Sequence, residues 1–125
     1  MRHVLASLFV LLLALPACSG GDTQGDGKVH PEGDGVRQSE ADACEALSAA
    51  IDAAYAKLGC VGTSQTCPAL IEATAGGATC LEYDHGSVQG CVAYFGQQAS
   101  CDALAAAVPN CVPASFDGSA PAGCP

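Results

Sequence analysis

Cys44, Leu47, Ile51, Ala54 and Leu58 recur at spacings of three and four, which places them on one face of an α-helix. Ser39-Glu40-Ala41-Asp42 precedes them and supplies a hydroxyl to cap free backbone N–H groups, with acids beside the positive helix end. Lys57 falls in the last turn, and Gly59 suits the left-handed closing conformation. The pattern predicts a helix over 40–58. A shorter helix is expected to start near Pro68, a residue suited to a first turn, and to stop at Gly76-Gly77. A third begins at Asp84 or Ser87 and carries Val88, Cys91, Val92 and Phe95 on one face, although Gly86, Gly90 and Gly96 weaken it as a helix. Ser100 caps a fourth, Cys101 to Val108, which Pro109 terminates. From Asn110 to Pro125 no period appears, and no stretch alternates as a strand should. The expected fold is all-α, a small helical bundle of about four short helices.

The opening of the chain follows a different pattern. Met1, Arg2 and His3 make a short positive start, and Val4 to Leu15 is apolar apart from Ser7. Twelve helical residues span about 18 Å, too short for a hydrocarbon core of roughly 30 Å. A positive start, a short apolar run and small residues after it form the pattern of a secretory signal. The run ends Leu15-Pro16-Ala17-Cys18, which resembles the bacterial lipobox; Pro16 departs from the commoner Ala or Ser at its position. The resemblance implies a diacylglycerol on the Cys18 thiol and cleavage after Ala17. Ser19 resembles the residue that releases such proteins to the outer membrane. The implied location is the cell envelope, with the membrane as a partner through covalent lipid. The expected organisation is a signal peptide over 1–17, the lipidated Cys18 with a flexible tether to 38, and a cysteine-rich domain over 39–125.

The tether assignment rests on composition. Ser19 to Gln38 is built from Gly, Asp, Ser, Gln, Pro and Glu, with Val29 and Val36 as its only aliphatic residues. Such a segment buries too little to fold alone, and twenty flexible residues reach roughly 25 Å. Asp22, Asp26, Glu32 and Asp34 are interleaved with glycine there, but the spacing of an EF-hand loop is absent.

Cysteine usage bears on how the domain is held. The hydrophobic fraction is 50%, but much of it is leader, Ala and Cys. Tyr55, Tyr83, Tyr94, Phe95 and Phe116 are the aromatics outside the leader, and each fully buried large side chain contributes roughly 1.5–3 kcal/mol. A core so small needs staples. Nine cysteines are present, and with Cys18 lipidated an even set of eight is left: Cys44, Cys60, Cys67, Cys80, Cys91, Cys101, Cys111 and Cys124. In an oxidising compartment these are expected to form four disulfides. Cys44 and Cys60 stand about 24 Å apart along one helix and cannot be partners. The other pairings stay open.

Charge and chemistry narrow the function further. The net charge is −9; without the leader, Lys28, Arg37 and Lys57 face all thirteen acids. An acidic surface repels phosphate, so nucleic acid is not an expected partner. The closest cysteines, Cys60 and Cys67, have six residues between them, wider than zinc-site spacing, so no metal is expected. Tyr83-Asp84-His85-Gly86-Ser87 holds the residue types of nucleophilic catalysis, but so close along one chain they diverge at a helix start. Asp84 or Ser87 reads as a helix cap and His85 as an exposed first-turn residue. His30 lies in the tether. Tyr94 and Phe95 are expected to split between core and surface. No catalytic residue and no cofactor is assigned.

The stretch from Cys80-Leu81-Glu82-Tyr83-Asp84 through Cys91, Ser100-Cys101 and Pro109-Asn110-Cys111 resembles small cysteine-rich lipoproteins of Gram-negative bacteria, a group without an established activity. The leading reading is a non-enzymatic, lipid-anchored envelope domain for structure or for interaction with an envelope protein. An alternative is a small inhibitor or effector that blocks a partner enzyme, with an exposed loop between Cys111 and Cys124. Another is a carrier of an apolar ligand. The carrier requires a cavity of about 300 Å³ or more, which an Ala-rich core disfavours.

Overall fold

The computed structural model describes residues 22–116, with side chains from Gly25 onward. The signal segment, Cys18 and Cys124 lie outside the described residues. Four helices form the body: α1 (Glu40–Leu58), α2 (Ala69–Thr74), α3 (His85–Gly96) and α4 (Cys101–Ala107), the last running into a 3-10 turn over Val108–Asn110. α1 has the predicted bounds. The Ser39 Oγ accepts from the Asp42 N–H at 3.1 Å, and Gly59 closes the helix at φ 70°. Ser100 caps α4 through the Ala103 N–H. Pro68 stands just ahead of α2 rather than inside its first turn.

The all-α expectation is corrected by five short strands: β1 (Asp22–Gln24), β2 (Lys28–His30), β3 (Arg37–Gln38), β4 (Glu82–Asp84) and β5 (Ser115–Phe116). β1 and β2 form an antiparallel hairpin in which Thr23 pairs with Val29. β3, β4 and β5 form an antiparallel sheet with β4 in the centre. Gln38 pairs with Tyr83, and Tyr83 with Ser115. Elements of two or three residues are too short to show alternation, and β3, β4 and β5 form only by pairing across long sequence separations. One side chain links all three strands of the sheet. The Arg37 guanidinium pairs with Glu82 at 2.7 Å and lies 4.2 Å from the Phe116 ring centroid.

The core lies between the helices. α1 contributes Ala43, Cys44, Leu47, Ile51 and Ala54; α3 contributes Val88, Cys91 and Phe95; Leu70, Ile71, Tyr83 and Leu104 fill the remainder. Phe95 is in the core, whereas Tyr94 is half-buried. Three disulfides are seen among the described residues: Cys44–Cys67 ties α1 to the loop after it, Cys60–Cys101 ties that loop to α4, and Cys91–Cys111 ties α3 to the segment after α4. Cys80 is also disulfide-bonded.

The tether reading is corrected as well. Residues 22–38 belong to the folded unit. Val29 bridges Cys111, and its carbonyl accepts from the Val112 N–H at 2.9 Å. Segment 31–34 lies across the start of α3, where Gly86 and Gly90 face it on successive turns. A Cβ at Gly86 would come within 2.7 Å of the Asp34 nitrogen, and one at Gly90 would overlap the Pro31 ring. The glycines that weaken α3 as an isolated helix thus create the surface on which a polar segment lies. That segment is held mainly by hydrogen bonds, so its low hydrophobicity does not prevent it from folding.

Candidate functional site

Two places in the described residues are candidates for a site. The first is the junction of β4 and α3. Asp84 ends the strand and caps the helix, and it is 6% exposed. Its Oδ1 accepts from the Ser87 N–H at 3.0 Å and from the Asp34 N–H at 2.9 Å, while Oδ2 accepts from the Gly35 N–H at 2.8 Å. Asp34 repeats the arrangement in the other direction. Its Oδ1 accepts from the Val36 N–H at 2.9 Å, and its Oδ2 meets His85 Nδ1 at 3.0 Å. The Ser87 side chain is fully buried, and its Oγ accepts from the Ala114 N–H at 2.7 Å.

Asp84, His85 and Ser87 are therefore adjacent without forming a relay. His85 is exposed and pairs with Asp34 across the junction, and Ser87 points inward to the segment before β5. Asp84 is the helix cap the sequence suggested, and it also anchors the loop before β3. Asp34 had no assigned role; in the sequence it is one acid among several between glycines. The arrangement fastens three distant segments at one point.

Electrostatics follow from these bonds. Burial pushes the Asp84 carboxyl up, but the N–H groups of Ser87, Asp34 and Gly35 outweigh it and hold it below the ordinary 3.8. The bond from His85, with backbone N–H groups of Val36 and Gly86, lowers Asp34 to about 2. Acids depressed in the folded state stabilise fully above their unfolded value and lose that contribution as the pH falls through the folded one. The junction is thus expected to hold at neutral pH and to loosen between about pH 4 and pH 2. Amide exchange protection at Gly35 and Ser87, followed from pH 7 to pH 2, checks this; protection constant over that range would refute it.

The second place is a cleft of about 460 Å³ between α1, the loop after it, α2 and the end of α4. Ala73, Ala105, Val108 and Pro109 supply accessible apolar wall, Ile51 and Leu70 being almost fully buried, and Tyr55, Thr63 and Gln65 supply polar groups. Lys28, reaching in from β2, is the one charged residue in its lining. The volume exceeds the roughly 300 Å³ required for a carrier.

No protein-family model, curated protein or solved structure matches the chain. The two places above therefore rest on geometry alone.

The remaining sequence-derived positions sort as follows. Six of the eight staple cysteines are in the three described disulfides, and Cys80 is bonded too. His30 pairs with Asp26 at 2.8 Å inside the β1–β2 hairpin. Among the described residues no group of three or more His, Cys, Asp or Glu is placed to hold a metal ion, and no helix is long and apolar enough to cross a membrane. The loop between Cys111 and Cys124 that an inhibitor would use extends beyond the described residues. The cleft escaped sequence reasoning because its walls come from five segments, none with a motif of its own.

Proposed function

We propose that this chain is an exported lipoprotein anchored through Cys18 to the cell envelope, at the outer membrane, and that its cross-linked head serves a non-enzymatic structural or binding role. The observation that carries the proposal is the lipobox-like Leu15-Pro16-Ala17-Cys18 at the end of an apolar leader. The cysteine pattern supports it, because disulfides persist in oxidising compartments and are rare in the cytosol. Seven disulfide-bonded cysteines accompany one leader cysteine and one near the C-terminus.

Only Ser19, Gly20 and Gly21 separate Cys18 from β1, and three extended residues reach at most about 11 Å. The anchor therefore holds the head close to the lipid headgroups instead of lifting it clear. An envelope protein or a small molecule at the membrane surface is the corresponding partner class. The cleft favours the ligand-binding form of this role over a purely structural one.

Disulfide mapping of the native protein tests the proposal. With Cys18 alkylated by lipid, Cys124 is the one cysteine left for Cys80. The expected result is a Cys80–Cys124 peptide together with an N-terminal Cys18 peptide heavier by a diacylglycerol. A Cys80–Cys18 peptide, or a chain still beginning at Met1, would overturn it.

A further inference from the structure

We propose that the cleft lined by Lys28, Tyr55 and Leu70 is a binding site for a small monoanion with an apolar body, of the medium-chain carboxylate type. This inference does not depend on the lipid anchor.

Charge selects the occupant. The chain carries thirteen acids, yet none lines the cleft among the described residues. Lys28 is exposed, and its ammonium makes no ion pair with any described residue. Of the other described cations, Arg37 is occupied by Glu82 and Phe116, and Lys57, in the last turn of α1, does not line the cleft. An unpaired cation beside an acid-free apolar wall attracts a carboxylate headgroup locally, whereas the rest of the surface repels it.

Hydrogen bonding agrees with charge. The Tyr55 hydroxyl and the side chains of Thr63 and Gln65 line the cleft and form no hydrogen bond within the described chain. The neighbouring Ser64 is engaged on both counts: its Oγ bonds to Ser48 and its N–H donates to Asp52. Donors without a protein partner, in a lining whose one charged residue is a cation, suit a small oxyanion. Ala73, Ala105, Val108 and Pro109 give the cleft an accessible apolar lining, which suits a short hydrocarbon body. The volume lies within the range of small-molecule sites.

The wall is pre-organised. Loop 60–67, which contributes Thr63, Ser64 and Gln65, is pinned at both ends, to α4 through Cys60–Cys101 and to α1 through Cys44–Cys67. A wall fixed before binding loses little further conformational freedom when a ligand enters.

Calorimetric titration of the full processed chain tests this, with disulfides intact and Cys18→Ser to keep it out of membranes. The probes are octanoate, octanol and octylammonium. Octanoate is expected to bind saturably at one site per chain, with octanol and octylammonium weaker by about tenfold or more. Lys28→Ala should weaken octanoate by about tenfold and leave octanol unchanged. Ala105→Phe, at an exposed position in the lining, should abolish octanoate binding without lowering the melting temperature. Absence of saturable octanoate binding, equal or tighter binding of either other probe, or undiminished binding in either variant overturns the proposal.

Discussion

Full reduction of the disulfides is expected to unfold the head at 25 °C. The three described bridges close sequence separations of 23, 41 and 20 residues. On the chain-entropy account, each such closure contributes about 3–4 kcal/mol. Three together approach the 5–15 kcal/mol of a typical domain, even after a discount for overlapping loops. The core cannot compensate: among the described residues the buried aromatics are Tyr83 and Phe95, and much of the rest is Ala and Cys. Among single bridges, Cys91–Cys111 is expected to matter most. Both its residues are buried, at 0% and 1% exposure, so its loss removes core packing along with the cross-link. Cys91→Ala with Cys111→Ala should cost about 4–5 kcal/mol, and Cys60→Ser with Cys101→Ser nearer 3 kcal/mol, because Cys101 is exposed. Urea melts followed by circular dichroism measure both. A reduced chain that keeps a cooperative melt would show that the interior suffices without sulfur.

The second large effect is expected at Asp84. Asp84→Ala removes the cap of α3, worth about 1 kcal/mol, and deprives the Asp34 and Gly35 N–H groups of a charged acceptor. The combined loss is about 3 kcal/mol. The damage should be directional: segment 31–36 and the start of α3 lose amide protection first, while the centre of α1 follows only global unfolding. Asp84→Asn retains an acceptor oxygen without the charge and is expected to lie between the two. Gly90→Ala approaches the same segment from the opposite side. Its added methyl meets Pro31, so the segment should be displaced although alanine is the better helix former by about 1 kcal/mol. Hydrogen exchange by mass spectrometry distinguishes these outcomes. Uniform loss of protection across the chain in Asp84→Ala would show that the junction has no separate identity.

The helices were legible because what defines them lies within a few residues. Ser39, Lys57 and Gly59 bracket α1, and its buried residues keep one face at helical spacing. Asp84 and Ser100 likewise announce α3 and α4. The same local reading misjudged residues 22–38, because composition reports what a segment can bury alone and not what a neighbour offers it. Gly86 and Gly90 weaken an isolated helix, and only the packed Asp34 and Pro31 give their missing side chains a purpose.

The disulfide pairing followed the same division. Helical rise alone separated Cys44 from Cys60, but choosing Cys67 and Cys101 as their partners required the helices to be packed. The cleft is the extreme case, with β2, α1, a loop, α2 and α4 each adding residues that carry no signal singly. Order along this chain thus came from short-range contacts that residue spacing encodes directly. Its sheet, its cross-links and its cleft came from pairings of residues far apart in sequence, whose energies exist only once the backbone has brought them together.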